Sequence, residues 1–132
     1  MLMTREMDYA LRILRALHHA EQLSAAAIAQ QENMPKAVTL KILKQLHASG
    51  LVDSRRGASG GYLLSSHDPL YLWDVFQALG ESPYVNRCQQ PVYSCENDPE
   101  GRCGICRELC RIQEVLDTEL RRTPLSAIFQ KI

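Results

Sequence analysis

The sequence predicts a mainly helical fold with one small β-hairpin and a long helix near its end. Three observations carry that expectation. Apolar residues recur at helical spacing through the first fifty positions. A glycine-rich stretch, LVDSRRGASGGYLLSS, places two short β-prone runs around a loop. A second amphipathic run, beginning at Cys103 or Gly104 and reaching about Arg122, follows a segment with no periodicity.

Thr4 can cap a first helix through about His19, with Leu11, Leu14, Leu17 and His18 at helical spacing and Arg12 and Arg15 on another face. Ser24 can cap a short second helix, AAAIAQQEN. Met34-Pro35 starts a third, because the missing N–H of proline costs nothing in a first turn. Thr39, Ile42, Leu43 and Leu46 form its buried stripe, and Gly50 ends it as a left-handed cap. The runs Leu51 to Ser54 and Tyr62 to Ser65 form the hairpin. Pro69 opens a fourth helix with Leu72, Val75, Phe76 and Leu79 as its apolar face. Three helices followed by a glycine-bearing hairpin is the winged helix-turn-helix order.

Gly80 to Arg102 holds Pro83, Pro91, Pro99, Asn97 and Gly101 and reads as a loop. A loop of that length in a small domain needs a reason to be ordered, and the cysteines within it supply one. In the long helix beyond, Ile105, Leu109, Ile112, Leu116 and Leu120 form one stripe, which pairing with a second copy of the chain would cover. Thr123-Pro124 caps a last short helix, LSAIFQKI. Trp73 and Tyr84 read as core or loop packing. The expected organisation is a winged helix-turn-helix domain at 1–80, a cysteine-bearing loop at 81–103, and a dimerisation helix with a short terminal helix at 104–132.

No run of 18 apolar residues occurs, which predicts no membrane span. MLMTREMDYALRIL carries acids where a signal peptide has a basic region, so the expected location is the cytoplasm. The net charge is zero, yet residues 1–66 hold eight Lys and Arg against five acids and residues 67–132 hold seven against ten. A basic front joined to an acidic rear fits a DNA-binding half joined to a different half. With the apolar stripe inward, Lys36, Ala37, Leu40, Lys41 and Lys44 face outward on the third helix. There the lysines suit phosphates and Leu40 could meet only a thymine methyl. Arg55, Arg56 and Gly57 lie at the hairpin tip, from which arginine can enter a minor groove. An ordinary solvated helix face and an ordinary turn are the plain alternatives.

All five cysteines, Cys88, Cys95, Cys103, Cys106 and Cys110, fall in the last third of the chain. In a reducing compartment such a concentration points to metal or iron–sulfur ligation, or to thiol redox chemistry, rather than to structural disulfides. A Cys/His enzyme is the competing class. No histidine lies near the thiols in sequence and no phosphate-cradling loop appears, so an enzyme is not expected. A zinc-stabilised module with no DNA role is opposed by the arginines of the wing.

MTREMDYALRIL, LKILKQLHASGLVDSRRGASGGYLL and the distal cysteines together resemble the IscR/NsrR-type (Rrf) bacterial transcription regulators over nearly the whole chain. The resemblance implies a winged-helix homodimer crossed through a long helix. It also implies binding to a pseudo-palindromic operator in double-stranded DNA, and an iron–sulfur cluster, 4Fe–4S or 2Fe–2S, that alters affinity in response to redox, nitric oxide or iron–sulfur status. Arg56 matches the wing arginine. Cys88, Cys95 and Cys103 match the cluster triad, with spacers longer than is common in the family. Cys106 stands where one branch has a ligating histidine, and Asp8 where another branch supplies an acid from the other protomer. Cys106 ranks first as fourth ligand, Asp8 second and Cys110 third, Cys110 reading more readily as a small residue at the dimer seam. Zinc on the same thiolates, or a metal-free thiol switch, is the alternative.

Overall fold

A computed structural model describes residues 2–65 and 69–130. The helices α1 (Arg5–His18), α2 (Ala25–Gln31) and α3 (Lys36–Ala48) come first. They are followed by the strands β1 (Val52–Arg55) and β2 (Gly61–Leu64), then α4 (Leu72–Ala78), a single 3₁₀ turn (Arg87–Gln89), α5 (Gly104–Leu120) and α6 (Leu125–Ile128). This is the mainly helical architecture with one hairpin that the sequence predicts.

Local chemistry sets most boundaries. The Thr4 hydroxyl accepts from the Met7 N–H at 3.2 Å and the Ser24 hydroxyl from the Ala27 N–H at 3.1 Å, so each closes an open helix N-terminus. Gly50 adopts φ 79° after α3 and Gly80 φ 66° after α4. Each lets two following N–H groups turn back onto the helix's last carbonyls: Gly50 onto His47 and Leu51 onto Leu46, Gly80 onto Gln77 and Glu81 onto Phe76. Pro35 is the cap of α3 rather than a residue inside it. Pro69 does not open α4. Tyr71 caps that helix, and its N–H donates to the Asp74 carboxylate at 2.8 Å.

Thr39, Ile42, Leu43 and Leu46 are fully buried on α3, as their spacing predicts. The buried face of α1 is instead Met7, Ala10, Ile13, Leu14 and Leu17. Leu11 is only half-buried. His18 is exposed and stacks on His19 and Phe129, because α6 returns to that edge. The strands pair antiparallel from Val52 opposite Leu64 to Arg55 opposite Gly61, one residue away from the expected limits at all four ends. Leu23 exchanges two backbone hydrogen bonds with Tyr62, at 3.0 and 2.7 Å, and fastens the hairpin to the α1–α2 connection.

The core unites α1, α3 and α4 with Leu120, Leu125 and Phe129 from the C-terminal part of the chain. The expected α5 stripe is therefore divided. Leu120 is buried and Leu116 packs on the core, whereas Ile105 and Ile112 are 73% and 39% exposed, and Val115, outside that stripe, is 54% exposed. The Arg121 guanidinium lies 3.9 Å over the Trp73 ring and pins the end of α5 to α4, which gives that tryptophan its packing role. Lys131 and Ile132, at the end of the last expected helix, lie outside the described residues.

Candidate DNA interface and thiol site

Lys36, Ala37, Leu40, Lys41 and Lys44 are all exposed on α3, as expected from the inward stripe. Lys41 also pairs with Glu6 of α1. An exposed pair of this kind is screened by salt and worth little, so the lysine can exchange Glu6 for a phosphate at small cost. Arg55 ends β1, and Arg56 and Gly57 stand in the exposed tip between the strands. The tip is closed by the Gly60 N–H donating to Gly57 at 2.9 Å and braced by the Gln22 amide on the Ser59 carbonyl. Two cations thus sit on a narrow loop held by backbone bonds at its base.

The cysteine loop is held at several points. The Thr4 hydroxyl that caps α1 also donates to Glu81 at 2.6 Å. Gln113, the buried polar residue of α5, accepts from the Val85 N–H at 2.7 Å and donates to the Pro83 carbonyl at 3.0 Å and to Asp117 at 2.8 Å. Farther along, the Asp98 carboxylate accepts from the N–H groups of Arg102 and Cys103, both at 2.8 Å, and these hold its pKa below the usual carboxylate range. Asp98 thereby shapes the turn that runs from Cys95 to the start of α5.

Cys88 lies in the 3₁₀ turn, Cys103 caps α5, and Cys106 and Cys110 follow one turn apart on that helix. The 3₁₀ turn that carries Cys88 packs against α5, the helix that carries Cys106 and Cys110. The Gln89 amide reaches the sulfurs of both Cys88, at 3.1 Å, and Cys110, at 3.8 Å. Cys110 is exposed and belongs to this thiol flank. At about 100° per residue, Cys106 and Cys110 lie on a different side of α5 from the exposed Ile105, Ile112 and Val115. The Cys106 thiol is pushed up to about 12, first by its hydrogen bond to Cys88 and then by burial and Cys110. It therefore carries its proton at neutral pH unless a cation replaces that proton.

Among the described residues no three His, Cys, Asp or Glu side chains are placed to hold a metal ion. The donor set itself, soft sulfurs from one ordered loop and one helix turn, fits an iron–sulfur cluster. Asp8 is exposed, pairs with Arg12 of its own helix at 2.9 Å, and lines a cleft of about 300 Å³ with Leu72, Leu125 and Phe129. Gln89, Asp98 and Gln113 escaped sequence reasoning. The Asp98-Pro99-Glu100-Gly101 turn composition pointed to the second of them, and a lone amide among apolar α5 positions to the third.

Helices ahead of an arginine-tipped hairpin, with a long helix beyond, define a winged helix-turn-helix regulator of transcription. The solved structure of CymR, the global cysteine regulator of B. subtilis, superposes with a TM-score of 0.74 at 27% identity, covering 96% of this chain and 94% of that one. The chain belongs to the Rrf2 family of iron-dependent transcriptional regulators, whose model matches residues 3–131. T. potens IscR shares the fold, with a TM-score of 0.67 at 17% identity over 95% of this chain and 83% of that one. A protein of Aquifex aeolicus described as an HTH-type transcriptional regulator is 24% identical over 89 residues, 67% of this chain and 62% of that relative's length. Family and relatives are regulators rather than enzymes. No helix among the described residues is long and apolar enough to cross a membrane.

Proposed function

We propose that this chain is a cytoplasmic, homodimeric regulator whose affinity for a pseudo-palindromic operator is set by an iron–sulfur cluster sensing redox, nitric oxide or iron–sulfur status. The observation that carries the proposal is the thiol flank itself. The 3₁₀ turn that carries Cys88 packs on α5, the helix that carries Cys106 and Cys110, in a fold whose family is iron-dependent. Cys88, Cys95, Cys103 and Cys106 would hold the cluster, with Asp8 of a second copy as the competing fourth ligand. Such a cluster supplies a redox-active, oxygen- and nitric-oxide-sensitive iron centre. The chain's own part is to position sulfurs from the loop and the helix. The face formed by Ile105, Ile112 and Val115 would pack on its copy, and Arg55, Arg56, Gly57, Lys36, Ala37, Leu40, Lys41 and Lys44 would meet DNA.

The test is the absorption spectrum of protein purified without oxygen, with iron, sulfide and zinc analysis, followed by titration of loaded and cofactor-free protein onto one operator. Iron, sulfide and unequal affinities support the proposal, and equal affinities defeat it. Zinc without sulfide would favour the second reading, a zinc or thiol-switch regulator.

A further inference from the structure

We infer that α3 reads its operator through the 5-methyl groups of pyrimidines, with Leu40 and Ala37 as the readers, so that each half-site needs thymine at defined positions and accepts 5-methylcytosine there in its place. The inference rests on the DNA-facing role proposed for α3 and deepens it. Leu40 is 40% exposed among lysines, an apolar side chain that the core does not use. At about 100° per residue, Ala37 and Leu40 occupy the middle of the outward arc in the first half of α3. Lys36 stands at one edge of that arc and Lys41, drawn to Glu6 of α1, at the other. A recognition helix brings its N-terminal residues to the base edges of the major groove. Seated that way, the two lysines lean toward the phosphate walls, and what meets the bases between them is hydrocarbon.

The polar side chains of α3 that read bases by hydrogen bonds are turned elsewhere. Thr39 is fully buried, and its hydroxyl donates to the Pro35 carbonyl at 3.0 Å. The Gln45 amide oxygen is buried, so that side chain does not offer the paired donor and acceptor that adenine takes. His47 stands in the last turn with its Nε2 3.4 Å from the Ser54 hydroxyl of β1, toward the wing. Of the four standard bases, only thymine shows an apolar group in the major groove, the methyl at C5. A methylated cytosine carries the same methyl at the same ring position and differs at C4, where an amine replaces the carbonyl oxygen. Neither C4 group finds a hydrogen-bond partner on Ala37 or Leu40, so that difference goes unread while the methyl is felt.

Full-length protein purified without oxygen, in loaded and cofactor-free forms, would first select duplexes from a random-sequence pool. Anisotropy titrations at one salt concentration would then compare the selected operator with copies in which each half-site thymine is replaced by uracil, cytosine or 5-methylcytosine, the opposite base changed to match. Uracil should weaken binding about fourfold at the positions that α3 reads, the value of one methyl withdrawn from apolar contact. At those positions 5-methylcytosine should bind about fourfold tighter than cytosine, for the same reason. Leu40→Ala should bind the thymine and uracil duplexes alike at one such position. Its slope of log affinity against log salt should stay that of the unaltered protein, because no phosphate contact is lost. Leu40 lies outside the core, so the variant keeps its fold, which circular dichroism checks. Equal affinity for thymine and uracil at every position, equal affinity for cytosine and 5-methylcytosine, or thymine–uracil differences that all survive in Leu40→Ala would each overturn the inference. A selected operator indifferent to methyls leaves the DNA-binding reading standing, whereas failure to enrich any duplex defeats that reading and this inference with it.

Discussion

Gln113 gives the sharpest test of how the cysteine loop is fastened to α5. Its amide makes three hydrogen bonds, to Val85, Pro83 and Asp117, while the residue is only 7% exposed. Gln113→Leu keeps the volume and removes all three. Pro83 is buried, so its carbonyl loses its donor away from water, a penalty of about 1–2 kcal/mol. Val85 is 40% exposed, so water can replace the acceptor at its N–H and the net loss there is nearer to about 0.5 kcal/mol. Asp117 can rehydrate at little cost. The sum is about 2 kcal/mol, which at a urea slope of about 2 kcal/mol/M lowers the unfolding midpoint by about 1 M. The comparison must be made at one protein concentration, since a dimer's stability depends on it. Hydrogen exchange adds a local readout: the Val85 amide should lose protection while amides in α1 and α3 retain theirs. An unchanged midpoint together with an unchanged Val85 amide would refute the assignment of Gln113 as the fastening residue.

Other consequences can be checked singly. Arg56→Ala should weaken operator binding by about tenfold and lower the slope of log affinity against log salt by about 0.9, as expected when one phosphate contact is lost; an unchanged slope removes Arg56 from the interface. Replacing Ile112 and Val115 by Glu should shift the protein toward monomer in sedimentation velocity while its circular dichroism is retained, because both side chains are exposed outside the core. Asp98→Ala should free the backbone N–H groups of Arg102 and Cys103 and lower the iron-to-protein ratio of anaerobically purified protein, with the thermal midpoint of the helical core unchanged. Equal iron content would show that the turn orders itself without that carboxylate.

The front of the molecule was largely legible because its signals are local. Thr4, Ser24 and Gly50 act through hydrogen bonds or dihedral angles within a few residues, and the period of α3 names Thr39, Ile42, Leu43 and Leu46 outright. On α1 the same periodicity admits two adjacent faces. The choice of Met7, Ala10 and Ile13 over Leu11 and His18 is made by where α3, α4 and α6 pack, which no spacing encodes. The α5 stripe failed similarly. Five apolar positions on one face looked like one interface, but the helix leans on its own core at Leu116 and Leu120 and leaves Ile105 and Ile112 outward. The thiol flank was only half legible. Helical spacing puts Cys106 and Cys110 together, but the arrival of Cys88 depends on a loop that Gln113 and Glu81 fix through long-range bonds and Asp98 through a local turn.

Those same bonds bound how strongly the cysteine site can speak to DNA. From Cys88 the chain runs back to Val85 and Pro83 on Gln113, then to Glu81 on the cap of α1, and α1 packs directly on α3. A change at the thiols can bias α3 only by the free energy that these few anchors carry, about 1–3 kcal/mol, which corresponds to about 5–150-fold in affinity. If loaded and cofactor-free protein differ within that range, and Gln113→Leu reduces the difference, transmission within one protomer suffices. A difference of several thousandfold, insensitive to Gln113, would require the two copies to rotate about α5 and change the spacing of both wings at once.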